Sequence, residues 1–146
     1  MRKIEMKEIE INGEPYPYYC DLYVLSLIQD RMPIDQFERD IIGAVIERDE
    51  AGEPLRTEDG RLKIRFEKYV LETMIFGLTL MINEGIQIRN EQEEQQDEPV
   101  TESYVGRCLT MTLNELSDLI HDEFNRCFNV KKNPMLRKNP KKKTSK

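Results

Sequence analysis

Residues 69–82 read YVLETMIFGLTLMI, and this stretch decides how the rest of the chain is arranged. Apolar side chains point to nearly every side of a helix drawn from Phe66 to about Arg89. The apolar run is 14 residues long and contains Glu72, so it is too short and too polar to span a membrane. We therefore predict a long buried helix that other elements cover on most sides.

The N-terminal segment predicts an antiparallel hairpin. Apolar and charged side chains alternate over residues 6–11, and the Asn12-Gly13 pair that follows suits the positive φ angles of a two-residue turn. Pro15 and Pro17 cannot donate hydrogen bonds to a ladder, so the second strand is restricted to an edge.

Two short helices should follow this hairpin. Asp21 is a good N-cap for the first, which we expect to end at Pro33. The second should begin at Asp35, with Glu38 three residues later as the reciprocal partner of a capping box, and end at Gly43.

The middle and the end of the chain supply further elements. Residues 45–66 contain two glycine turn signals and end on an apolar alternation, which predicts a second hairpin. The stretch NEQEEQQDEP has five acids and no apolar residue, and we expect a solvated linker or a fraying helix end there. Two helices then run from Glu102 to about Thr110 and from Leu113 to Phe128, the latter with Thr112 and Glu115 as a capping box.

These segments predict an α+β fold that is predominantly α-helical: an N-terminal β-hairpin followed by a small helical bundle, with a second hairpin in the middle. We expect one domain over residues 1–130 and a disordered basic tail over residues 131–146. The tail holds eight Lys or Arg and no acid, whereas residues 1–130 hold 14 basic and 28 acidic residues. The net charge of −6 argues against a dedicated polyanion binder, so nucleic acid is not an expected partner.

The sequence carries no recognisable catalytic or cofactor signature. His121 is the sole histidine, and HDEFN lacks the second histidine of the zinc-protease motif because Asn125 occupies that place. A metal site from His121, Cys108 and Cys127 would lack a fourth ligand. The glycine spacing fits neither a P-loop nor a dinucleotide fingerprint. We expect no enzyme activity, cofactor or metal, although catalysis by carboxylates alone, with Glu72 as the acid in the most apolar run, is an alternative.

The closing helix offers candidate partner-binding residues. Leu113, Leu116, Ile120 and Phe124 follow the spacing with which an amphipathic helix binds a groove or another helix. The alternative is that the same stripe forms the core of the domain. The three cysteines have no close pairing, which favours a reducing compartment such as the cytoplasm.

The order of these elements resembles that of the tail assembly chaperones of long-tailed bacteriophages and prophages, particularly those of Gram-positive hosts. Three stretches carry the likeness: IEINGEPYPYYCDLYVLSLIQDRM, IDQFERDIIG and VTESYVGRCLTMTLNELSDLIHDEFNRCF. They correspond to a strand, an Asn-Gly turn, a strand and a helix start, followed much later by a closing helix pair.

The resemblance implies a non-catalytic assembly factor that binds the tape measure protein, keeps that apolar helical chain soluble and helps to recruit tail tube subunits. Such a factor acts in the cytoplasm of the host bacterium and is absent from the mature virion. The family also implies a longer form made by programmed frameshifting near NPKKKTSK as a further partner, and self-association is an additional expectation. The alternative function is a nucleic-acid-associated phage or bacterial accessory protein that uses the basic tail.

Overall fold

The computed structural model describes residues 3–128. Its elements, in chain order, are β1 (Lys7–Ile11), β2 (Glu14–Tyr18), α1 (Leu22–Arg31), α2 (Ile34–Ile42), β3 (Ala44–Ile46), β4 (Ile64–Phe66), α3 (Leu71–Glu93), α4 (Glu102–Cys108) and α5 (Leu113–Phe128). The predicted fold class is confirmed, because two short antiparallel hairpins accompany a predominantly helical body. The predicted basic tail, residues 131–146, lies outside the described residues.

The β1–β2 hairpin closes through the predicted two-residue turn. Ile11 pairs with Glu14, and Asn12 and Gly13 between them have φ angles of 59° and 83°. Both central residues of such a turn need positive φ, which Asn and Gly tolerate best. Because the alternation of β1 directs Ile9 and Ile11 to one side, the hairpin buries both of these side chains.

Helix α3 is the centre of the fold. The strand β2 and the helices α1, α2, α4 and α5 all pack against it. Glycines allow two of these contacts to be close: a Cβ at Gly77 would lie 2.5 Å from the Phe37 ring of α2, and one at Gly85 would lie 2.7 Å from the Pro17 backbone of β2. The prediction of a helix covered on most sides is thus confirmed.

The ends of α3 differ from the prediction. The helix begins at Leu71 and not at Phe66, because Phe66 is the last residue of β4 and pairs with Ala44. It continues through Glu93, beyond the predicted end near Arg89, and stops where Glu94 adopts a φ of 54°. The first part of the acidic stretch is therefore helical, and the remainder is the connection to α4.

The first two helices illustrate one correct and one incorrect capping prediction. Asp21 caps α1 as predicted, since its Oδ1 accepts the Val24 N–H at 3.0 Å. The capping box predicted for α2 is wrong, because that helix begins at Ile34, after Pro33, and its N-cap makes no side-chain hydrogen bond. Gly43 ends α2 as predicted, with a φ of 75°.

The last two helices follow the sequence closely. Helix α4 ends at Cys108, two residues before the predicted end. The capping box of α5 is confirmed: the Glu115 N–H donates to Thr112 Oγ1 at 3.2 Å, and the Thr112 N–H donates to Glu115 Oε1 at 3.1 Å. Over residues 3–128, no helix has both the length and the apolar character that crossing a membrane requires.

Candidate protein-binding surface

The excursion between β3 and β4 is an ordered platform built from two turns. Leu55 is hydrogen-bonded to both flanks of the excursion, because its N–H donates to the Glu47 carbonyl and its carbonyl accepts the Lys63 N–H. The Glu47 N–H also donates directly to the Lys63 carbonyl, and all three bonds are 2.9 Å long. In the first turn, Asp49 Oδ1 accepts the backbone N–H groups of residues 51 and 53. These bonds fix the approach of the chain to β4.

The second turn brings the chain directly into β4. Thr57 and Arg61 are joined by a backbone hydrogen bond of 2.7 Å, and Gly60 between them has a φ of 88°. A hydrogen bond from the Thr57 hydroxyl lowers the pKa of the Asp59 carboxyl, and Arg61 lies 3.0 Å from the same group. Asp59 therefore stays ionised in this second turn.

An apolar row along β4 faces solvent. Ile64 and Phe66 alternate along β4, and Leu62, in a β-bridge with Arg56 just before the strand, continues the alternation, so the three project to one side. Their exposed fractions are 38%, 52% and 61%. Most apolar side chains of this size are buried on folding, so a contiguous exposed row is the informative exception.

The row continues onto the start of α5. The Phe66 ring contacts the Tyr69 ring edge-on, with centroids 5.2 Å apart, and the Tyr69 hydroxyl donates to Asn114 Oδ1. The residue before Asn114 is Leu113, which is 47% exposed. We call the surface formed by Leu62, Ile64, Phe66 and Tyr69 the β4 face.

Charged side chains occupy the side of the strand opposite the β4 face. Lys63 and Arg65 occupy the intervening positions of the strand and project to its other side, where Arg65 lies 3.6 Å from Glu67. An exposed row of apolar side chains of this kind is typical of a protein–protein binding site. Chemically, the arrangement can bury another apolar surface; it presents no nucleophile.

Three of the four partner-binding residues predicted on α5 lie in the core. Leu116 is 6% exposed, and Ile120 and Phe124 are fully buried. Phe124 packs against Phe37 of α2, with ring centroids 5.5 Å apart. The structure therefore favours the alternative interpretation, intramolecular packing, for these three residues. Only Leu113 of the predicted set is available to a partner in this conformation.

The residues considered for metal binding or catalysis are found in separate places. His121 Nε2 lies 2.9 Å from the Glu38 carboxylate, and the Asn125 amide lies 3.3 Å from the same nitrogen. Cys127 contacts the thiol of Cys20. No group of three or more candidate metal ligands comes together within the described residues 3–128.

Sequence reasoning overlooked two acids, one buried and one half-buried. Glu123 is 2% exposed, and its Oε2 accepts the Cys20 N–H and an Arg126 Nη2–H, each at 2.8 Å. The signal existed, since position 123 follows Ile120 by three residues and shares its side of α5. The second acid is Glu84 of α3, which is half-buried. The sequence had singled out Glu72 of the same helix as the acid in an apolar environment, but Glu72 is exposed.

No protein-family model matches the chain, and no curated protein or solved structure matches it either.

Proposed function

We propose that the chain is a non-catalytic tail assembly chaperone that binds the tape measure protein of a long-tailed phage and helps to recruit tail tube subunits around it. The single observation that carries this proposal is the β4 face, an exposed apolar row held on a hydrogen-bonded platform. The order of elements supports it further, because the Asn-Gly hairpin, the short helices and the closing helix pair follow the arrangement that the family resemblance implies.

The chemistry of the β4 face suits an apolar helical partner. A long tape-measure helix exposes apolar side chains that its own chain cannot cover, and burying one such side chain contributes about 1.5–3 kcal/mol. Three or four contacts of this size give a complex of moderate affinity once the cost of association is subtracted. Moderate affinity suits a chaperone that leaves before the virion is complete, and the negative charge of residues 1–130 keeps the complex dispersed.

Co-expression tests this proposal. We expect the chain to raise the soluble fraction of the tape measure protein from the same gene cluster several-fold. The double variant Leu62→Ser/Ile64→Ser should lose this effect, and it leaves in place the Phe66 ring that packs over Gly43. Lys63→Ser/Arg65→Ser is the matched control, because it places the same side chains on the same strand but on its opposite side, and it should retain the effect.

The folded state must be checked in parallel. Circular dichroism and the midpoint of thermal unfolding should show that both double variants keep the helical fold, since the β3–β4 excursion lies outside the α3-centred core. The proposal fails if the folded Leu62→Ser/Ile64→Ser protein solubilises the tape measure protein as well as the unsubstituted chain does. It also fails if the unsubstituted chain has no effect.

A further inference from the structure

A second surface, on another side of the fold, has a different chemistry. An open groove of about 350 Å³ lies between α1, α3 and the segment before α4. Tyr23, Leu27, Leu80 and Pro99 form its apolar walls, and the carboxyl group of Glu84 lies in the same lining. Tyr23 is 59% exposed, so the groove is open to a binding partner along one wall.

Two carboxyl groups meet beside this groove. Glu84 shares a hydrogen bond with Asp21, and Asp21 is the residue whose carboxylate caps α1. Burial, together with the Asp21 hydrogen bond and charge, raises the pKa of Glu84 to about 8, and the charge of Glu91 acts in the same direction. Near neutral pH the pair therefore retains a proton, and a cation placed between the two groups would favour its release.

The described chain ends close to this pair. In the last turn of α5, Arg126 Nη2 donates to the Cys20 carbonyl, and the Cys127 thiol contacts that of Cys20. Asp21 follows Cys20 directly and is also near the Cys127 thiol. The backbone thus leaves α5, at Phe128, beside one member of the carboxyl pair.

The residues that follow are strongly cationic. Residues 131–146 contain eight Lys or Arg and no acid, against a net charge of −14 for the 14 basic and 28 acidic residues before them. An extended chain advances about 3.3 Å per residue, and Lys131 follows Phe128 by only three residues. The first basic residues of the segment are therefore within about 10 Å of chain from the end of α5. Because the segment is covalently attached, its effective concentration at the groove is on the order of millimolar.

We propose that the groove binds the chain's own basic segment, residues 131–146. The groove offers the Asp21 and Glu84 carboxyl groups to a cationic head group, and the apolar side chains of Tyr23 and Leu27 to the methylene stem behind it. This intramolecular contact goes beyond the proposed chaperone function and does not depend on it.

The titration of Glu84 tests the proposal in the full chain. We would follow its side-chain carboxyl carbon by NMR in the unsubstituted protein and in a variant with all eight Lys and Arg of residues 131–146 replaced by Gln. A bound cation favours the ionised carboxylate, so the pKa of Glu84 should be lower by roughly one unit in the unsubstituted protein than in the variant. A shift of this size means that the segment binds about tenfold more tightly when Glu84 is ionised. The difference should shrink when salt is raised from about 20 mM to about 500 mM.

Two results would overturn it. One is an identical titration of Glu84 in both proteins at low salt. The other is a difference in the pKa of Asp59, in the turn before β4, as large as the difference for Glu84 between the same two proteins. That result would indicate a long-range effect of the segment's charge and not docking in the groove.

Limited trypsin digestion gives a second readout that does not depend on the NMR assignment. At low salt and pH 9, where Glu84 is ionised, residues 131–146 of Glu84→Gln should be cleaved several-fold faster than those of the unsubstituted chain. Glu58→Gln, which neutralises an exposed acid of the β3–β4 excursion, is the matched control and should behave as the unsubstituted chain does. Equal cleavage of all three proteins would exclude docking in the groove.

Discussion

Replacing Glu123 with Gln should destabilise the domain more than neutralising any other acidic residue of α5. The carboxylate accepts the Cys20 N–H and the Arg126 Nη2–H at 2.8 Å and the Arg126 Nε–H at 3.1 Å, and Lys7 Nζ lies 3.7 Å away. Gln has the same shape, but its amide NH₂ would face one of these donors. Breaking a buried ion pair costs about 3–5 kcal/mol. The Arg126 side chain is 40% exposed and can regain water, so we expect the lower value, about 3 kcal/mol.

Urea denaturation followed by circular dichroism measures this loss. Asp122→Asn is the matched control: it makes the same chemical change one residue earlier, at an exposed position, and should alter the free energy of unfolding by less than about 0.5 kcal/mol. A loss of about 1 kcal/mol or less for Glu123→Gln would refute the reasoning, because the carboxylate would then not be joining α5 to the segment between β2 and α1.

Two further predictions concern α3 and its neighbours. Gly85→Ala should lower the free energy of unfolding by about 1–3 kcal/mol, because the new methyl group would meet the Pro17 backbone at 2.7 Å. Gly106→Ala meets only the flexible end of the Ile75 side chain at 3.2 Å and should raise the free energy of unfolding by up to about 1 kcal/mol through helix propensity. Equal effects of the two substitutions in urea denaturation would contradict this reasoning. The raised pKa of Glu84 means that the folded state holds a proton that the unfolded state has lost between pH 4.5 and about 8, so stability should fall as pH rises through this window. Glu84→Gln should remove this part of the pH dependence of stability. The reasoning is contradicted if the urea midpoint changes between pH 5 and pH 8 by the same amount in Glu84→Gln as in the unsubstituted protein.

Local features of the sequence predicted the elements whose causes are local. The Asn12-Gly13 turn and the Thr112–Glu115 capping box depend on residues within three positions of each other, and both are present. The α2 capping box failed because the helix already begins at Ile34, so Asp35 lies inside its first turn. The Glu38 carboxylate instead faces His121 of α5.

Periodicity predicted apolar faces but not what covers them. The stripe on α5 and the row on β4 have equally clear spacing, yet Ile120 is fully buried and Phe66 is largely exposed. The difference arises from the tertiary arrangement, because α5 packs against α2 and α3, whereas β4 makes its main contacts with β3. The same limit applies to Glu84, whose partner Asp21 is brought to it by the packing of α1 on α3.

The position of Phe66 explains how the β4 face can be both apolar and stable. One edge of its ring lies over Gly43, where a Cβ would come within 2.5 Å of the ring, and the other side contacts Tyr69. Gly43 is also required by its positive φ, so the residue that ends α2 provides the space that anchors β4. The ring therefore holds the strand in place with its inner edge and leaves its outer part exposed to solvent. Because the α3 core is closed without the β4 face, the binding and release that we propose for this face would require no rearrangement of the core.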